Sequence, residues 1–312
     1  MDTQESFTYQ TDDDIEIYVR KWIAEEKPRA IVQIAHGMAE HIERYDEFAK
    51  VLVSKGIYVF GNDHRGHGKT AELNKVSGYF SDEQGFEKVA NDMYTLTSMI
   101  EKEYPDVPIF LFGHSMGSFL TRRYIQLHGS RLTGAIICGT GGDPGFIGKI
   151  GRLIARREAK KHGRITPSPK LNNLVFGNYN KVFRPNRTEF DWLSRDKHEV
   201  DKYVEDPSCG GIFTTGFFND LLEGLAVIND PKNLQLTPTD LPLFFISGST
   251  DPVGNHTKGV LQAYQAYKRV GMKDISYKFY EGARHELLNE TNKEEVYVDV
   301  IKWIQSHLEG AF

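Results

Sequence analysis

The chain has 312 residues, a formal charge of −5 at pH 7, 39% hydrophobic and 26% charged residues. That balance suits one large α/β domain with a sizeable core and argues against nucleic acid as a partner. Two cysteines, Cys138 and Cys209, are too few for a disulfide framework. The acidic N-terminus does not read as a signal peptide, and no apolar run approaches the roughly 18 residues of a spanning helix. The expected compartment is therefore the cytoplasm.

Residues 15–22 alternate partly, as an outer antiparallel strand does. Short apolar runs of buried-strand type follow at 30–35, 57–61, 109–112, 134–138, 241–247 and 275–280. Helical patterns lie between several of them. Tyr45, Phe48, Ala49, Leu52 and Val53 follow helical spacing up to Gly56, and further helices are expected at 84–103, 117–128 and 257–270. A last helix is expected over 291–308, opened by a Thr291/Glu294 capping box and closed at Gly310. Strands alternating with helices predict a mostly parallel central sheet with helices on both faces. The rhythm breaks between about 143 and 235. We expect a core at 1–142 and 236–312, with 143–235 inserted as a helical cap.

Gly113-His114-Ser115-Met116-Gly117 directly follows the apolar run 109–112 and precedes a helical pattern. This is the layout of a nucleophile elbow, a strained strand-to-helix turn that projects one hydroxyl above a sheet. A serine hydroxyl is a poor nucleophile near pH 7 and needs a base, itself oriented by a third group. In an open α/β sheet such groups gather beyond the carboxyl ends of the strands. Asp251 follows run 241–247 and His285 follows 275–280, so Ser115, Asp251 and His285 stand at three strand ends in the order Ser, Asp, His. The amides of Met116 and of Met38, in the loop after run 30–35, are the expected oxyanion donors.

His36-Gly37-Met38-Ala39-Glu40-His41 with Arg44-Tyr45, Asp63-His64-Arg65-Gly66-His67-Gly68, the pentapeptide around Ser115, and Arg284-His285-Glu286 together resemble monoacylglycerol lipases and bacterial lysophospholipases. These are α/β-hydrolases with a cap. The resemblance spans the expected core. It implies that Met38 and Met116 form the oxyanion hole and that Glu40 and Arg44 shape the polar end of the site, where a glycerol headgroup sits. Ala39 departs from the pattern, since many members have glycine there.

Asp63 reads as a loop-fixing acceptor, and His64 and His67 as parts of a tight loop and not metal ligands. His114, Phe213 and Phe217 complete the expected substrate-binding set, the two phenylalanines lying in the apolar, Gly-rich stretch 210–218. Residues 146–164 carry seven Lys or Arg and one Glu, with Phe146, Ile147, Ile150, Leu153 and Ile154 on one helical side. Such a segment either turns its apolar side onto the pocket as a lid or touches a membrane surface transiently; an opening lid does both. The expectation is a serine esterase acting on a small lipid-like ester, such as a monoacylglycerol or lysophospholipid, with no cofactor and no metal. The alternatives are a peptidase of aminopeptidase type and a non-catalytic ligand-binding protein on the same fold.

Overall fold

The computed structural model describes residues 3–308. The apolar runs form strands β3 (Ala30–Ala35), β4 (Ile57–Asn62), β5 (Ile109–His114), β6 (Gly134–Cys138), β7 (Leu243–Gly248) and β8 (Ile275–Tyr280). Two outer strands, β1 (Thr3–Gln10) and β2 (Glu16–Ile23), complete an eight-stranded sheet of order β1-β2-β4-β3-β5-β6-β7-β8. The pairs β1/β2 and β2/β4 are antiparallel, and every pair from β4 to β8 is parallel.

Strand side chains alternate between two cores, as a period of two requires. Ile31, Ile109, Leu111 and Ile137 pack on one face with α3 (Gly85–Glu103), α4 (Met116–His128) and α10 (Lys258–Arg269). Val32, Phe110, Phe112 and Ile136 pack on the other with α1 (Asp46–Val53) and α11 (Lys293–Ser306). A short α2 (Gly68–Asn74) caps the turn after β4. The capping-box expectation for α11 does not hold. Its N-cap is Asn292, and Thr291 instead bonds Glu290, whose carboxylate is occupied in holding the Arg284–Arg195 corner. Gly310 lies outside the described residues.

Between β6 and β7 the chain leaves the sheet and forms an inserted helical cap: α5 (Gly145–His162), α6 (Pro169–Phe176), α7 (Lys197–Glu205), α8 (Thr215–Asn229) and α9 (Pro231–Leu234). Helix α8 is its floor, with Phe217, Phe218 and Leu221 merged into the core beside α3 and α4. Helix α5 lies on α8 through its small residues, Ala155 and Ala159 being buried. Four of its larger apolar side chains, Phe146, Ile147, Ile150 and Leu153, point away, with Phe146 75% and Ile147 80% exposed, while Ile154 packs partly against the core. The lid reading in which this side covers the pocket therefore fails, because close helix packing selects the small face of α5. No helix among the described residues is long and apolar enough to cross a membrane.

Candidate active site

Strand β5 delivers Ser115 into the left-handed region, at φ 54 and ψ −120. A non-glycine residue there costs about 1–2 kcal/mol and is held only by its surroundings. The hold is visible: Ser115 N donates to Cys138 O of β6 at 2.9 Å, and Ser118 Oγ donates to Ser115 O at 2.5 Å. Gly117 is required because a Cβ there would lie 2.0 Å from Ala35 O, so α4 and β3 approach nearly to backbone contact. Met116 opens α4, and its amide is among those at a helix N-terminus that lack an intrahelical acceptor.

Asp251 lies in the loop after β7, fully buried. Its Oδ2 accepts from His285 Nδ1 at 2.9 Å and from Ser247 Oγ at 3.3 Å, while Oδ1 accepts from Val253 N at 2.9 Å. This fixes the His285 proton on Nδ1 and leaves Nε2 as the basic nitrogen. Burial works against a charged His285, but the Asp251 carboxylate outweighs it and lifts the imidazole above its ordinary value of 6.5. His114, with its ring centroid 4.7 Å away, goes the other way: burial, then the neighbouring His285 charge, pushes it down to about 4. The two neighbouring rings are thus shifted in opposite directions, His285 up and His114 down.

The loop after β3 faces the elbow. His36 Nδ1 donates to Gly37 O at 2.7 Å while its Nε2 accepts from His64 N at 2.9 Å. Gly37 lets this loop close on the elbow, since a Cβ there would sit 3.2 Å from Ser115 Cβ and 2.7 Å from Glu40 Oε1. Glu40 Oε1 accepts from Gly37 N at 2.5 Å and Tyr45 Oη at 2.8 Å. Arg44 bonds Glu40 Oε2 at 2.7 Å and both oxygens of Glu286, at 2.7 and 2.8 Å. Arg44 therefore stands behind Glu40 and braces it against the residue that follows His285. Asp63 is the loop-fixing acceptor its position implies, taking Ile42 N at 2.7 Å and Lys69 N at 2.8 Å. His67 Nδ1 donates to Arg65 O at 2.9 Å within the same buried loop.

Two cavities meet at Ser115. One, of about 420 Å³, is apolar, walled by Met38, Met116, Phe119, Phe176, Leu221 and Val253. The other, of about 510 Å³, is more polar and includes Met38, Glu40, His114, Asn172, Asn180, Tyr203, Gly210, Gly211, His285 and Glu286. Ser115, Met38 and Phe176 belong to both. Phe213 and Phe217 belong to neither, which corrects the expectation that they line the substrate pocket. They stack on each other at 4.5 Å and on His67 and Phe80, filling the seam between cap and core. Their neighbours Gly210, Gly211 and Ile212 line the polar cavity instead.

Sequence reasoning missed Glu286 as a partner of Arg44, although it sits next to His285. It also missed Trp192, whose ring lies 5.0 Å from that of His285 and whose carbonyl accepts from His285 N at 3.4 Å. Nothing in the sequence tied a tryptophan of the insertion to a loop more than ninety residues on.

A family model described as serine aminopeptidase, S33, matches residues 26–292. The chain belongs to this family. It is 30% identical to a monoglyceride lipase of Mus musculus over 298 residues, 95% of this chain and 88% of the mouse protein. It is 29% identical to a monoacylglycerol lipase of Mycolicibacterium smegmatis, covering 92% of each. A solved carboxyl esterase from Bacillus coagulans, in complex with glycerol, superposes with a TM-score of 0.91 at 28% identity, covering 98% of this chain and 99% of that one. The α/β-hydrolase fold with an inserted helical cap, read from the strand order and motifs, agrees with these likenesses.

Proposed function

We propose that this protein is a serine hydrolase that cleaves lipid-type carboxylic esters, of monoacylglycerol or lysophospholipid kind, through an acyl-enzyme on Ser115. The observation that carries the reading is the position of Ser115 at the junction of an apolar and a polar cavity, with the His285–Asp251 pair on the polar side. The acyl chain occupies the apolar cavity and the alcohol the polar one. His285 Nε2 takes the Ser115 proton as the hydroxyl attacks the ester carbonyl, and the Met38 and Met116 amides hold the oxyanion. His285 then protonates the departing alcohol. It next activates water, which releases the acid, and Asp251 keeps the ring oriented throughout. Glu40, His114 and Glu286 shape the alcohol side, with Arg44 bracing the two carboxylates from behind. Lipase and esterase relatives, one of them with glycerol bound, support this substrate class.

The family description names an aminopeptidase, but such an enzyme needs a free carboxylate for the substrate ammonium. Of the three carboxylates lining the polar cavity, Glu40 and Glu286 are already engaged by Arg44, and the third, Glu189, is exposed to solvent. We further propose that residues 143–235 act as the lid unit and that α5 touches anionic membrane surfaces from the cytoplasm. Phe146, Ile147, Ile150 and Leu153 are exposed beside Lys149, Lys160 and Lys161, and Asp143 and Pro144 at the start of α5 line the apolar cavity. Salt-sensitive sedimentation with anionic vesicles supports that contact, and its absence removes it.

The test of the main reading combines fluorophosphonate labelling with a panel of monoacylglycerols, lysophospholipids and aminoacyl anilides. Labelling mapped to Ser115, ester turnover, and loss of several orders of magnitude in Ser115→Ala are expected. Retained turnover in Ser115→Ala, or preference for the anilides, overturns it.

A further inference from the structure

His41, Asp206 and Cys209 converge where the loop after β3 meets the end of cap helix α7. His41 Nε2 lies 2.8 Å from Asp206 Oδ2, across 165 residues of sequence. The donor atoms of all three lie within 4.8 Å of one another. None of the three has a part in the chemistry proposed above.

The cap side of this cluster is preformed. Cys209 N donates to Asp206 O at 3.0 Å, a turn that sets the thiol beside the carboxylate. Ser208 N holds Asp206 Oδ1 at 2.8 Å and leaves Oδ2 aimed at the ring, the outer support usual for a ligating carboxylate. The core side is tied to the same turn, since Gly210 N donates to Ala39 O at 3.0 Å. The His41 and Asp206 side chains are 15% and 29% exposed, so an ion reaches them from solvent. Arg44 nearby is neutralised by Glu40 and Glu286, which leaves the surroundings with a net negative charge.

An imidazole nitrogen, a carboxylate oxygen and a thiolate are the donor set of a borderline-soft divalent cation. Tetrahedral bonds of about 2.0–2.3 Å place such donors roughly 3.3–3.7 Å apart, so the widest separation closes by about 1 Å while the His41–Asp206 pair opens by about 0.5 Å to admit the ion. We propose that His41, Asp206 and Cys209 form a zinc-class cation site that pins the cap to the Met38 loop and thereby slows turnover. On binding, the Cys209 S–H bond breaks, the metal–sulfur bond forms, and the proton leaves to solvent. The hydrogen on His41 Nε2 moves to Nδ1, freeing the Nε2 lone pair, and nothing is oxidised. A water completes the fourth position. Because Ala39 and Gly210–Ile212 are walls of the polar cavity, the pinned state hinders exchange of the alcohol.

The binding arm stands without the proposed function; the inhibition arm rests on it. Zinc chloride is titrated calorimetrically at pH 7.5 into the wild-type and Ser115→Ala proteins, in two buffers of different ionisation enthalpy. The expected result is one ion per chain in both, at micromolar affinity, with about one proton released. Cys209→Ser and Asp206→Asn each weaken it at least tenfold. Ester turnover of the wild type falls at least fivefold with zinc and recovers with EDTA, while Cys209→Ser is unaffected. Absent binding, or equal affinity in Cys209→Ser and Asp206→Asn, overturns the site. Binding without any change in turnover overturns the pinning. A chain with no ester turnover refutes the function reading and leaves the site to be judged by calorimetry.

Discussion

Replacing Arg44 tests how the two strand-end loops are held together. The guanidinium lies 2.7 Å from Glu40 Oε2 and 2.7 and 2.8 Å from the two oxygens of Glu286. The Glu40 and Glu286 side chains are only 4% and 6% exposed. Arg44→Ala leaves two buried carboxylates without a countercharge. Breaking one such pair costs about 3–5 kcal/mol, and one cation serving two carboxylates places the expectation near the upper end, ~5 kcal/mol at pH 7.5. Burial raises each carboxyl, yet Arg44 outweighs it and holds both below their ordinary 4.5. Their contribution to wild-type stability is therefore present above pH 4.5 and lost as pH falls through the lower folded values. In Arg44→Ala, burial and mutual repulsion are opposed only by the hydrogen bonds from Gly37, Tyr45 and Asn289, so the folded carboxyls bind protons at higher pH than in the wild type. The deficit is then largest near neutrality and narrows by pH 5.0. Arg44→Lys keeps the charge but loses the forked geometry, for a smaller cost of about 1–2 kcal/mol. Urea midpoints of the three proteins at pH 7.5 and 5.0 check this. A deficit below about 1 kcal/mol at pH 7.5, or one of equal size at both pH values, refutes the brace.

The acid limb of kcat/KM should have its midpoint above 6.5, because Asp251 raises His285 and only the neutral ring takes the serine proton; a pH–rate profile reads it directly. Ala39 holds φ 57 with its carbonyl tied to Gly210 N and Tyr203 Oη. Ala39→Gly should raise stability by about 0.5–1 kcal/mol, the relief of left-handed strain less the added unfolded-state entropy, measurable by urea denaturation. Gly117→Ala should destabilise by about 3 kcal/mol or more and suppress fluorophosphonate labelling, since the new methyl meets the Ala35 carbonyl and that backbone has no room to retreat.

The inner parallel strands were legible because they are buried on both faces: Ala30–Ala35 and Gly134–Cys138 match the sequence reading end to end, and so does the half-buried edge strand Ile275–Tyr280. Strand β1 was not foreseen. Its sequence, Thr-Gln-Glu-Ser-Phe-Thr-Tyr-Gln, carries little apolar signal, and as an edge it is held by backbone pairing to β2. Helix α2 was hidden for a similar reason, with Thr70 its buried residue. Of the candidate site, the elbow and the His285–Asp251 contact follow from local sequence and strand order. The walls do not. Phe213 and Phe217 read as pocket aromatics but satisfy a seam near His67, whereas Trp192 and Glu286 gain their places through long-range packing that leaves no local pattern.

Residues 191–195 belong to the insertion yet are stitched to the loop bearing His285. Glu286 N donates to Leu193 O at 2.8 Å, Arg284 bonds the carbonyls of Asp191 and Ser194, and Arg195 bonds Glu290 at 2.8 Å. The insertion is consequently bipartite, a stationary buttress beside the imidazole and a separate canopy of α6 and α8 over the apolar chamber. Grafting a whole foreign insertion onto this scaffold would exchange specificity and base alignment together, whereas trading the canopy alone would retune chain-length preference and leave the proton relay untouched.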